Sequence, residues 1–501
     1  MKPQRILYFV IYVLISLAFI SLIFPSKGIK VNNDIQLHFP KMKELFFPEK
    51  VEYADISDII NTNPDIDTLS VENNLHDGPM LDDTIRINEE ELLQSLQFIE
   101  FPNGKKNNLY AFFQKLITGK SQGQLVRIMH YGDSQIEGDR ITSFVRAKLQ
   151  YAFGGYGVGL FPVIDVAPSF SYDKEVSSNW KRYPGFGKKD PKILHNRYGV
   201  LASFCRYAPI QNDSVFNDSL VYKAWIKLGS SKRAYGPSKR FEQCCIFYGN
   251  NKKDVFLEIY ADDILIKKDT LKSNQHFAFS KINFSTSPET IILKFTGKDS
   301  PDIYGITLDG NKGLAVDNIP LRGSSGTIFN AMEFSHLKKF YASLHTELLI
   351  LQFGGNVMPY INEDKKVNNY GRWFYSNLIT LKRLNPGISI IVIGMSDMSK
   401  KVKERYVTYP NLEKVRDALK EATFKAGFAY WDMYKAMGGK NSMPSWVFAK
   451  PPLASKDFIH FQPQGARIIA NMFYNAFIFE YNDYKKNLTK KTVKNSDDQK
   501  K

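Results

Sequence analysis

Gly132-Asp133-Ser134 and Asp457-Phe458-Ile459-His460 are the residues in this chain whose types and spacing could do chemistry. A serine hydroxyl is a weak nucleophile until a base takes its proton, and a histidine serves as that base when a carboxylate orients its ring. Ser134 follows Leu125-Val126-Arg127-Ile128-Met129-His130, which reads as a strand stopping at Gly132. Its hydroxyl therefore falls at the carboxyl end of a sheet, where open α/β folds keep their sites. Asp457 and His460 stand three apart just before the last helical stretch, on a turn short enough for both to face one cleft. A turn and a helix N-cap would account for the serine alone, and local hydrogen bonding for the histidine alone. Together they are a hydroxyl, a base and an orienting carboxylate, the set that performs acyl transfer through an acyl-serine.

The negative charge that such an attack builds on a carbonyl oxygen needs donors, and two further blocks supply candidates. Gly354-Gly355-Asn356 follows the strand-like Glu347–Phe353, placing the Asn356 amide at the same sheet edge as the serine. Gly323, in Asp317-Asn318-Ile319-Pro320-Leu321-Arg322-Gly323-Ser324-Ser325-Gly326, lacks a Cβ and can bring a backbone N–H close to a substrate. Losing one such donor typically costs about 10²–10³ in rate. The eight histidines fall in no His-x-x-x-His or similar ligand spacing, so no metal or cofactor is expected.

The elements that must position these groups follow from hydrophobic period. The Ser134 strand is followed by a helical stretch through Phe144 and Leu149. After residue 310, apolar strands of Glu347–Phe353, Ile388–Ile393 and Phe428–Asp432 alternate with helices of Trp373–Leu384, Leu412–Ala426 and Gln464–Tyr481. That alternation implies an α/β fold with a parallel sheet flanked by helices on both faces. Between Tyr198 and Gly310 run short alternating segments: Leu220–Leu228, Cys244–Tyr248, Val255–Tyr260, Ile264–Lys268, Phe277–Phe284 and Thr290–Phe295. Turn residues such as Asn250-Asn251 and Asp262-Asp263 separate them, which reads as an all-β sandwich inserted into the α/β domain.

At the N-terminus, Ile6–Phe24 carries no charge, and fourteen of its nineteen residues are Ile, Leu, Val or Phe. At helical rise it spans about 28 Å, close to the hydrocarbon thickness of a bilayer. Phe24-Pro25-Ser26-Lys27 lacks a small-x-small cleavage pattern, so an uncleaved transmembrane anchor is expected, with the large domain extracytoplasmic (periplasmic in a Gram-negative cell). The formal net charge of +16 is spread along the chain without a nucleic-acid recognition motif. Of the three cysteines, Cys205 could bridge to Cys244 or Cys245 outside the cytoplasm. The domain expectation is an anchor over 1–25, a stalk over 26–100, α/β over 101–197, the sandwich over 198–310, α/β again over 311–484, and a basic flexible tail over 485–501.

The order Gly-Asp-Ser, Gly, Gly-x-Asn, Asp-x-x-His resembles the SGNH (GDSL-type) hydrolase family over residues 125–160 and 310–475. Within it, Gly132-Asp133-Ser134-Gln135-Ile136-Glu137-Gly138-Asp139, Val316–Gly323, Met437-Gly438-Gly439 and Leu453–His460 look like the bacterial peptidoglycan O-acetylesterase group. There a carbohydrate-binding-module-like sandwich (jelly-roll-like) separates the serine and glycine blocks. Two positions depart from that group: Gln135 stands where a histidine is common, and Gly394-Met395-Ser396-Asp397 replaces a more proline-rich turn.

The resemblance implies a three-layer SGNH-type fold, Ser134 as nucleophile, His460 as base and Asp457 as orienter. Its oxyanion hole would comprise the backbone of Ser134 and Gly323 and the side chain of Asn356. The implied reaction is removal of O-acetyl groups from a cell-envelope glycan. Independently of the resemblance, Trp373 and Trp446 follow polar or Gly/Pro-rich loops and are candidates for stacking on sugar rings. The same residues would serve an O-acetyltransferase fed by a membrane acetyl-exporting partner. A non-catalytic glycan-binding protein would need none of the three catalytic groups.

Overall fold

The computed structural model describes residues 3–25, 28–31, 36–37, 39–41, 51–62, 97–210, 219–274 and 276–498. The chain divides into two compact units, Met1–Glu52 and Tyr53–Lys501. In the first, helix α1 (Pro3–Ile23) is long and apolar enough to cross a membrane. Its 21 residues reach about 32 Å at the usual helical rise. Beyond it Ile29–Lys30 pairs antiparallel with Gln36–Leu37, and the Ser21 hydroxyl donates to the Pro40 carbonyl at 2.8 Å.

The second unit is built on a six-stranded sheet. Its strands are β1 (Ile99–Glu100), β2 (Leu125–Gly132), β3 (Gly313–Pro320), β4 (Thr346–Gln352), β5 (Ser389–Ile393) and β6 (Ala429–Trp431), in the spatial order β3-β2-β4-β5-β6-β1. All pairs are parallel except β6 with β1. Runs such as Leu348-Leu349-Ile350-Leu351 are apolar at every position because both faces of the sheet are covered. The two-residue period then sorts them. Ile128, Val316, Leu348, Ile350 and Ile391 pack under α2 (Asn107–Ser121), α3 (Thr142–Phe153) and α7 (Pro463–Asp498). Met129, Tyr131, Leu349, Leu351 and Ile390 pack under α4 (Phe334–Ser343), α5 (Asp364–Leu384) and α6 (Leu412–Ala426). This is the three-layer α/β arrangement that the sequence implies.

Two antiparallel sheets make the inserted sandwich. One runs Ala278–Asn283, Gln243–Gly249, Asp302–Asp309, Ser203–Arg206, Lys181–Pro184, with Gly159–Phe161 also on Asp302–Asp309. The other runs Ile264–Leu271, Val255–Ala261, Thr290–Gly297, Tyr222–Ser230, Tyr172–Val176. Their inner faces meet through Cys244, Ile246 and Ile306 against Ile226, Leu257, Leu293 and Phe295. Arg127 of β2 ties the insertion to the α/β sheet, pairing with Asp309 at the end of the sandwich and Asp317 of β3, all three buried.

Several expected boundaries differ. The sandwich starts at Gly159, since the short strands from Gly159 to Pro184 carry alternation over too few residues to read as a sheet. Of the expected stalk, Ile56 and Ile99 are core residues of the α/β domain, and β1 is an edge strand of its sheet. Residues 63–96 of the expected stalk lie outside the described residues. α7 continues past Tyr484 to Asp498, so described residues of the expected flexible tail are helical. Cys205, Cys244 and Cys245 are all free and buried, so the bridge that the sequence left open is not formed.

Candidate active site

β2 lies between β3 and β4, which aligns Gly132 with Pro320 and Gln352 at the carboxyl edge of the sheet. A Cβ at Gly132 would sit 2.9 Å from the Ile136 side chain, so any larger residue there would have to displace Ile136. Ser134 opens a 3₁₀ turn to Asp139, and the Asp133 carboxylate caps it by accepting the Gln135 N–H at 3.0 Å. His460 is delivered by the loop ahead of α7. The two meet: Ser134 Oγ lies 2.8 Å from His460 Nε2, and His460 Nδ1 lies 2.7 Å from Asp457 Oδ2.

The other Asp457 oxygen accepts the backbone N–H groups of Ile459 and His460 at 2.9 and 3.0 Å, closing the turn that aims the ring. Burial opposes the Asp457 charge. Hydrogen bonds from the His460 ring and from these two N–H groups outweigh it and hold the carboxyl below the usual carboxylate range. Asp133 is the reverse case: burial pushes its carboxyl up to about 6. Beneath the site, burial pushes the His130 imidazole down to about 4, and its ring spans Gln352 Oε1 at 3.1 Å and the Thr142 hydroxyl at 2.9 Å.

A cavity of about 200 Å³ opens on the relay, with Ser134, His460 and Asn356 in its wall and Met395, Met398 and Met433 in its lining. The Asn356 amide donates to the Ser324 carbonyl at 3.0 Å, which commits one of its two hydrogens and orients the other. Gly323 has φ +79°, with nothing within 4 Å of where a Cβ would stand. The glycine is therefore needed for its left-handed backbone, where the sequence suggested clearance for a substrate. Gly323 does not line this cavity.

Trp446 is 0% exposed, packs on Phe461 and donates its indole N–H to the Met437 carbonyl at 2.9 Å. It is a core residue that no sugar ring can reach. Trp373 is 61% exposed on α5 and does not line the cavity. Sequence reasoning passed over what Gln135 does: its amide donates to the Ile459 carbonyl at 2.5 Å and the Ser396 hydroxyl at 3.3 Å, tying the residue after the nucleophile to the residue before the base. Its departure from the related pattern was the one available signal.

No protein-family model matches the chain, and no curated protein matches it. Among solved structures, a peptidoglycan O-acetylesterase aligns with a TM-score of 0.58 at 17% identity, over 74% of this chain and 96% of that one. A family two carbohydrate esterase from Clostridium thermocellum aligns over 52% of this chain and 94% of that one, with 9% identity and a TM-score of 0.22. An acetyl xylan esterase covers 32% of this chain and 81% of its own, with 10% identity and a TM-score of 0.25. The fold of this chain is the SGNH-type α/β fold with an additional β-sandwich.

Proposed function

We propose that this SGNH-type chain is a serine esterase that removes O-acetyl groups from a cell-envelope glycan of the peptidoglycan type, held at a membrane by α1 with its catalytic domain extracytoplasmic. The observation that carries the reading is the relay from Ser134 Oγ to His460 Nε2 at 2.8 Å and from His460 Nδ1 to Asp457 Oδ2 at 2.7 Å, at the carboxyl edge of a parallel sheet. The likeness to a peptidoglycan O-acetylesterase supports the choice of substrate. The length and apolarity of α1 support the anchor.

The chemistry follows from the geometry. Neutral His460 takes the Ser134 proton on Nε2 as Oγ bonds to the acetyl carbon, and Asp457 stabilises the resulting imidazolium. In this reading the oxyanion is met by the Ser134 N–H and the second Asn356 amide hydrogen, with the Gly323 N–H, outside the cavity wall in this structure, as the third donor. Collapse breaks the bond to the sugar oxygen, which leaves with the proton from His460. Water, deprotonated by the same ring, then releases acetate from Ser134. A second sugar hydroxyl in place of water would make the same site an O-acetyltransferase.

The test is release of acetate from an O-acetylated glycan and from a chromogenic acetate ester. Ser134→Ala should lower kcat by at least about 10³-fold with the fold intact. Full activity in that variant would end the assignment. Acetyl transfer to an added sugar acceptor in excess of free acetate would make the protein a transferase.

A further inference from the structure

Glu137 is only about 5% exposed by its side chain, although it lies three residues from Ser134 at the edge of an open site. A carboxylate taken out of water at that depth needs strong partners. Arg322 supplies them: its Nε donates to one Glu137 oxygen and its terminal amine to the other at 2.6 Å, a two-point pair. Such a pair fixes direction as well as distance, because the guanidinium fork and the carboxylate are both planar. Arg140 adds a third link, donating from Nε to the Glu137 carbonyl at 2.9 Å.

The two ends of this pair belong to the two blocks that must cooperate. Glu137 is part of the Ser134–Asp139 turn that carries the nucleophile. Arg322 immediately precedes Gly323. The rest of the Gly323 segment is held by neutral hydrogen bonds, among them Leu321 N–H to the Gly132 carbonyl at 2.7 Å, the Asn356 amide to the Ser324 carbonyl at 3.0 Å and the Tyr370 hydroxyl to the Ser325 carbonyl at 2.8 Å. At Gly323 itself nothing stands within 4 Å of where a side chain would begin, so no side-chain packing helps to fix its backbone.

We propose that Glu137 and Arg322 are positioning residues for the oxyanion hole, clamping the Gly323 segment to the turn that bears Ser134. The inference rests on the esterase reading above and deepens it. Neither side chain touches the reacting atoms; both act through the Gly323 N–H. A donor displaced by about 1 Å costs on the order of 10²-fold in rate, and its full loss about 10²–10³.

The experiment compares Glu137→Gln, Arg322→Met and the double variant in the full-length chain, by steady-state kinetics on a chromogenic acetate ester and by amide hydrogen exchange. Each single variant should lower kcat about 10- to 100-fold with KM changed less than about threefold, and the double should be no worse than the worse single. Exchange over Leu321–Gly326 should quicken by about tenfold while that of β4 is unchanged. Unchanged kcat and exchange would overturn the proposal. So would a fall in kcat with matching loss of protection in β4, which marks a general structural role. Exchange needs no turnover: a wild-type chain inactive on acetate esters would refute the esterase reading, and the exchange would still decide the clamp.

Discussion

Replacing Asp457 by asparagine should cost far more than its half-exposed position suggests. One oxygen of Asp457 accepts two backbone N–H groups, from Ile459 at 2.9 Å and His460 at 3.0 Å. An asparagine carbonyl can keep both, which turns its amide nitrogen toward His460 Nδ1, now 2.7 Å from the second oxygen. An N–H pointing at Nδ1 is satisfied only by a lone pair there. The ring proton then moves to Nε2, 2.8 Å from the Ser134 hydroxyl, where a donor cannot take the serine proton. The wrong tautomer costs about 10⁴ in kcat, or about 5.5 kcal/mol at 1.36 kcal/mol per decade. Asp457→Ala should keep about ten times more activity than Asp457→Asn, because water can reach a side chain 45% exposed and accept from Nδ1 without dictating the tautomer. The assay is kcat on a chromogenic acetate ester, with thermal unfolding to check that the turn survives. The reasoning fails if the asparagine variant keeps more than a tenth of wild-type activity, or if alanine is the more damaging change.

Two further outcomes concern stability. Trp446→Ala should destabilise the fold by about 3–5 kcal/mol in denaturant titration, whereas Trp373→Ala should change it by less than about 0.5 kcal/mol; similar losses for both would contradict their burial. Asp133, whose folded pKa of about 6 exceeds the usual carboxylate value of about 3.9, binds its proton more tightly folded than unfolded. The cost of this buried charge to stability is therefore absent below about pH 4, grows as pH rises from about 4 to about 6, and is fully felt above that. Asp133→Asn keeps the cap on Gln135 without the buried charge, so its melting temperature should exceed wild type at pH 8 and match it at pH 4. A gain of equal size at both pH values would rule out the charge as the cause.

Much of the fold was legible because it rests on local pattern. The continuous apolar strands, the 3.6-residue stripe of Leu412–Ala426 and the alternation of Val255–Ala261 each betray their element through their own residues. The strands at Gly159–Phe161 and Ile99–Glu100 were not legible, because two or three residues carry no period and their place is set by partners elsewhere. Trp446 was misplaced for a related reason: a neighbouring polar loop says nothing about which side of the backbone the indole takes.

By itself the sequence determined which residue types could act: a hydroxyl after a strand, an Asp-x-x-His turn, an Asn and a Gly after later strands. It also determined the α/β and all-β character of the blocks that hold them. Tertiary structure decided convergence. It brought Ser134 within 2.8 Å of a base 326 positions away. It also set Gln135 on the Ile459 carbonyl 324 positions on, and Glu137 on Arg322 185 positions on. The reason is physical. Backbone preference and hydrophobic period are properties of neighbours along the chain, whereas the partner of a buried polar group is whichever distant group the packed sheet brings within hydrogen-bonding distance.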